Sequence, residues 1–132
     1  MALAAEKASQ EQSSESTRLE ALREQFQRQL LELEDVSLNG HPSQRSPKIL
    51  NITAHGADGE GLLMNLDIEG VSASSGSACN AGTLEPSHVL RAMGRSRADA
   101  RASIRFSFGR DTNLQTLEFA LRAFTKALSR SR

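Results

Sequence analysis

The sequence is poor in the groups that usually announce a function. Its 132 residues contain no Trp, no Tyr and a single Cys, and aromatic residues make up 4% of the chain. One cysteine excludes an internal disulfide and any metal site built from several thiolates. No apolar run approaches the roughly 18 residues of a membrane span, so no membrane partner is expected. Charge of one sign is also missing. Sixteen basic and sixteen acidic residues balance to zero, whereas a general nucleic-acid binder carries a basic surplus, so no nucleic-acid partner is expected. Glu6 and Lys7 stand where an apolar signal core would lie, which points to the cytoplasm or an organelle matrix. His41, His55 and His88 have no metal-ligand spacing, so no metal is expected, and neither a G-x-x-x-x-G-K phosphate loop nor a dinucleotide fingerprint occurs.

What is present is pattern. Residues 1–16 carry no recurring apolar stripe and read as a flexible or helical lead-in to a domain spanning 17–132. Leu19, Leu22, Phe26, Leu30 and Leu33 then recur at helical spacing, with Thr17 and Glu20 placed as a capping box at the start. Val36 to Leu38 and Ile49 to Ile52 read as short strands around a polar loop. Asp58 is a cap for a helix carrying Leu62, Leu63 and Leu66, which Gly70 ends. Val71 and Ala73 suggest a third strand. Glu85-Pro86 opens a short helix with His88 in its first turn and Gly94 as its stop, and 95–101 reads as a charged loop. Ile104, Phe106 and Phe108 alternate with Ser103, Arg105 and Ser107, as in a strand with one buried face. Thr112 and Gln115 fit a capping box for a final helix along Leu114, Leu117, Leu121, Phe124 and Leu128. The fold class is α/β (α+β): one small sheet of short strands, with helices mostly on one face.

Two residues stand out chemically. Cys79 lies in Ser74-Ser-Gly-Ser-Ala-Cys-Asn-Ala-Gly82, a stretch of small residues that cannot bury it locally. It reads either as an accessible nucleophilic thiol or as an inert small hydrophobe. Arg105 points away from the apolar face of its strand, between two serines. It is either a clamp for a carboxylate or a solvated surface cation.

Ser74-Ser-Gly-Ser-Ala-Cys79, Leu84-Glu-Pro-Ser-His-Val-Leu-Arg-Ala-Met-Gly94 and Ser103-Ile-Arg-Phe-Ser-Phe-Gly-Arg110, in series, resemble the C-terminal small domain of a cysteine desulfurase. These are pyridoxal-phosphate enzymes of the class V aminotransferase fold, and the long cysteine loop resembles the subclass serving iron–sulfur assembly. The resemblance implies that sulfur leaves L-cysteine, that alanine is the product, and that Cys79 receives the sulfur as a persulfide for an acceptor or scaffold protein. It implies that Arg105 grips the substrate carboxylate. It also implies a large cofactor domain holding the Schiff-base lysine. Lys7, Lys48 and Lys126 do not lie in a matching segment. These 132 residues are therefore expected to contain no cofactor-binding residue and not to bind pyridoxal phosphate alone; they read as a truncated or stand-alone small domain, which a cofactor domain in trans could complete. The alternative is a non-catalytic sulfur-accepting or protein-interaction module that lost the cofactor domain. A homo-oligomer is a further expected partner state. If a larger domain normally docks here, Leu19, Leu22 and Phe26 should be partly exposed.

Overall fold

A computed structural model describes residues 2–75 and 85–132. Helix α1 runs Ala2–Leu31, strand β1 Val36–Leu38, β2 Ile49–Ala54, and helix α2 Gly59–Ile68. Helices α3, His88–Ala92, and α4, Arg97–Arg101, precede strand β3, Ser103–Ser107, and the closing helix α5, Leu114–Arg130. The strands form one antiparallel sheet in the order β1-β2-β3. Leu50 opposes Phe106, Ile52 opposes Ile104, and Asn51 opposes Arg105. Because side chains alternate across a strand, this register sorts the sheet into an apolar and a polar face.

The apolar face packs against α1 and α5. Leu19, Leu22, Phe26 and Leu30 of α1 are buried, and so are Leu117, Phe124, Ala127 and Leu128 of α5. Phe26 sits edge-on to Phe106, with ring centroids 5.3 Å apart, and Phe106 meets Phe124 at 6.0 Å. Each of these Leu and Phe side chains removed from water contributes about 1.5–3 kcal/mol. The expected exposure of the α1 stripe is therefore overturned: Leu19 is 0% and Phe26 1% exposed, covered by the chain's own sheet and last helix.

Several local expectations are also corrected. Thr17 is no cap: it lies inside α1, where its hydroxyl bonds back to the Ser13 carbonyl at 3.1 Å. The α5 cap is Asn113, paired with Thr116 in a capping box, while the Thr112 hydroxyl accepts from the Gly109 N–H. Leu114, in the first turn of α5, is exposed. Segment 95–101 contains a helix, because Ser96 caps it by accepting from the Asp99 N–H. Helix α3 starts after Glu85-Pro86, capped by Ser87. Val71 and Ala73 form no strand; only Ser74 pairs, through an isolated bridge to Arg105. Asp58 does cap α2, accepting from the Gly61 N–H.

Helices α2 and α3 end in the same way. After α3, the Arg95 N–H reaches the Leu90 carbonyl and the Gly94 N–H the Arg91 carbonyl, with Gly94 at φ +88°. This double closure needs the left-handed backbone that glycine adopts without strain. At its other end α2 begins on Gly59, whose absent Cβ would lie 1.9 Å from the Arg101 carbonyl oxygen. The start of α2 thus rests directly on the backbone at the end of α4.

Candidate functional site

The second face of the sheet carries Ser37, Asn39, Asn51, Thr53, Ser103 and Arg105. Its centre is covered: Asn39 is 4% exposed and Thr53 and Ser103 are 0%, while Ser37, Asn51 and Arg105 are half-buried. Burial of so many polar groups requires that they satisfy one another. The Asn39 amide donates to the Asn51 side-chain oxygen at 2.7 Å, to the Thr53 hydroxyl at 2.9 Å and to the Ser103 hydroxyl at 3.1 Å. Thr53 and Ser103 are 2.8 Å apart, and Ser103 donates to the Asp99 carbonyl at 2.7 Å. This network ties all three strands' polar face to α4.

Arg105 stands at the edge of this network. Its backbone is clamped on both sides: the register pairs it with Asn51 on β2, and its N–H donates to the Ser74 carbonyl at 2.7 Å while its carbonyl accepts from the Ser74 N–H at 3.1 Å. Its half-buried side chain lines a pocket of about 290 Å³. Asn39, Asn51 and Ser87 supply polar lining, and Val89, Leu90 and Met93 an apolar wall. The Arg105 Nε is buried without a hydrogen-bond partner among the described residues. An unsatisfied guanidinium N–H away from water costs free energy unless an acceptor arrives. The polar strand face read from the sequence is thus correct, and Arg105 is no freely solvated cation. Asn39, Asn51 and Ser87 were missed by sequence reasoning. The signal available was the pairing of polar residues at alternate strand positions, which reads equally as a solvent face.

Cys79 lies outside the described residues. The bridge at Ser74 brings the chain leading to it alongside Arg105.

His55 forms a second polar constellation on β2's far end. Its Nδ1 lies 2.7 Å from an Asp99 carboxylate oxygen and its Nε2 2.8 Å from the Ser37 hydroxyl. The Ser96 hydroxyl donates to the other Asp99 oxygen at 2.7 Å. These bonds from Ser96 and then His55 hold the Asp99 carboxyl below its ordinary 3.8. His41 and His88 are exposed.

The described residues that line the pocket do not fit pyridoxal phosphate. A Schiff base needs a lysine amine, and an organised site needs further groups around the ring. Lys7 and Lys48 are exposed, and Lys126 pairs with Glu69 at 2.8 Å on α5's outer side. None of them lines the pocket.

A family model, aminotransferase class-V, matches residues 2–118. The chain belongs to the aminotransferase class-V family. It is 42% identical over 125 residues to the cysteine desulfurase IscS of Pseudomonas entomophila (strain L48), and equally to that of Azotobacter vinelandii (strain DJ / ATCC BAA-1303). Each match covers 95% of this chain but 30% of the relative's length. Among solved structures, the NifS-like protein from Rickettsia africae ESF-5 superposes with a TM-score of 0.79 at 24% identity, over 91% of this chain and 31% of that one. Another structure, titled NifS-like protein, gives the same score over 94% of this chain. The fold class expected from the sequence is the one these neighbours share. No helix among the described residues is long and apolar enough to cross a membrane.

Proposed function

We propose that the chain supplies the substrate-gripping and sulfur-carrying half of a cysteine desulfurase, with Arg105 binding the carboxylate of L-cysteine and Cys79 receiving its sulfur as a persulfide. The observation that supports this most directly is the Arg105 Nε, buried and unbonded at a pocket with an apolar wall. A carboxylate entering there meets a planar, always-charged fork in a partly water-excluded site, where a charge-assisted bond is roughly twice as strong as a neutral one. The neighbouring Val89, Leu90 and Met93 suit a short side chain of low polarity. Cleavage of the substrate's carbon–sulfur bond falls to a cofactor domain, carried either in a longer protein or by a separate chain. Sulfur held on Cys79 then passes to an acceptor or scaffold protein, as iron–sulfur assembly requires. Because no lysine lines the pocket among the described residues, a second reading is also supported: a module that accepts sulfur on Cys79 and performs no desulfuration.

Two measurements test the proposal. In a nitrogen-detected NMR titration, L-cysteine or L-alanine should shift the Arg105 Nε resonance, and succinamide, which lacks a carboxylate, should not. A resonance unmoved at millimolar ligand removes the gripping role. Mass spectrometry after exposure to a small-molecule persulfide should show one added sulfur on Cys79, absent from Cys79→Ser. Sulfur uptake without the carboxylate response favours the second reading.

A further inference from the structure

The polar cluster at the β1 edge of the sheet is not explained by sulfur transfer. Ser37 Oγ, His55 Nε2, His55 Nδ1 and Asp99 Oδ1 lie in a line of two short contacts, 2.8 and 2.7 Å. This is the nucleophile–base–orienter arrangement that defines acyl-transfer sites on unrelated folds. Asp99 is fixed from behind by the Ser96 hydroxyl at 2.7 Å and stays ionised. It therefore selects the imidazole tautomer with the proton on Nδ1, which leaves Nε2 to accept from Ser37. The His55 side chain is 37% and that of Asp99 27% exposed, so the relay is ordered yet reachable.

A place for developing negative charge lies beside it. The Asn39 N–H donates to Asn51, and the His55 N–H to the carbonyl of Asp35. Odd-numbered residues of this edge therefore face β2, and Leu38 turns its N–H and carbonyl outward. The Arg95 guanidinium reaches that outward side, donating to the Leu38 carbonyl at 2.5 Å. An N–H on the residue following the nucleophile, with a cation next to it, is the kind of donor set an oxyanion needs.

We propose that Ser37, His55 and Asp99 form an acyl-transfer site for small carboxylic esters, separate from the Arg105 pocket. Ser37 Oγ bonds to the ester carbonyl carbon as its proton passes to His55 Nε2. The bond to the leaving alcohol then breaks, and the alcohol takes that proton. Water repeats the sequence on the acyl-serine, which releases the acid and restores the Ser37 hydroxyl.

A fluorophosphonate probe tests this on the full chain, because it phosphonylates activated serines with loss of fluoride and does not depend on Cys79. Peptide mass spectrometry should find the label on Ser37 of the folded protein. Labelling should fall at least about 100-fold in His55→Gln, the scale of general-base catalysis, and should disappear in Ser37→Ala. Wild type in urea serves as a second comparison that needs no variant to fold: unfolding should abolish the labelling. No label on Ser37 in the folded wild type, or equal labelling in His55→Gln or in urea, overturns the proposal and leaves the three residues as a clasp joining β1, β2 and α4.

Discussion

The two faces of the sheet are built from the same three strands and each has a buried centre, yet they are held by different physics. The apolar face carries Leu50, Ile52, Ile104 and Phe106 against α1 and α5. Its stability depends on volume and shape, and neighbours of similar size can replace one another. The polar face carries Asn39, Thr53 and Ser103, equally buried, and it depends on each donor finding one particular acceptor. Filling space supports a core, whereas a fully bonded polar layer fixes where a functional side chain such as Arg105 must stand.

The comparison is sharpest under mutation, and the largest effect belongs to the apolar face. Phe26→Ala should destabilise by about 3–5 kcal/mol, since it empties the centre of a cluster that includes Phe106 and Phe108. Urea denaturation gives the midpoint. A loss below about 1 kcal/mol would show that α1 collapses into the space.

Gly59→Ala probes the joint between the layers. The added methyl group would strike the Arg101 carbonyl, and backbone cannot swing aside as a side chain can. A cost of about 1–3 kcal/mol is expected, more if α4 lifts from the polar face. Thermal unfolding by circular dichroism checks it, and an unchanged midpoint refutes the close contact.

Asn39→Ala should cost about 1–3 kcal/mol, because Asn51, Thr53 and Ser103 lose a shared donor inside the protein. The same change combined with Thr53→Ala should be non-additive by more than about 0.5 kcal/mol. Strict additivity would mean that these groups do not act as one network.

The smallest effect is on pH dependence. The folded Asp99 carboxyl titrates below its ordinary 3.8. Its contribution is therefore fully present above that value and is lost as pH falls through the folded value. Asp99→Asn should flatten the acid limb of the stability curve. An identical acid limb in both proteins would show that the Ser96 and His55 bonds do not favour the ionised form.

Much of the apolar half was legible because periodicity is a local signal. The stripe from Leu19 to Leu30, the strands around Val36, Ile49 and Ile104, and the Phe124 helix all lie where spacing put them. Segments without a stripe were read less sharply, for identifiable reasons. Residues 2–16, read as flexible or helical, are helical, since Ala, Glu and Gln form helix without any face to bury; what failed there was the Thr17 cap, because α1 already starts at Ala2. The 95–101 segment hides a one-turn helix behind its arginines, although Ser96 with Asp99 carried a cap signal. The polar half was legible only in part. Alternation turned Arg105 away from the core but could not tell water from a buried network, because both are polar. The line from Ser37 to Asp99 joins residues 62 positions apart, and no spacing rule reaches that far.

The Arg18 side chain draws a boundary in the long first helix. Its guanidinium donates to the carbonyls of Gly109, Arg110 and Thr112, at 3.3, 3.1 and 2.6 Å, and pairs with Glu15. One cation thus satisfies three carbonyls of the turn that leads into α5 and ties that turn to α1. Before it, positions 9–14 are exposed along the whole run. Proteolysis needs a backbone that can open locally. A protease working inward along α1 should therefore advance through that exposed run and stall near Glu15, and the residue at which it stalls would mark where the lead-in ends and the folded body begins.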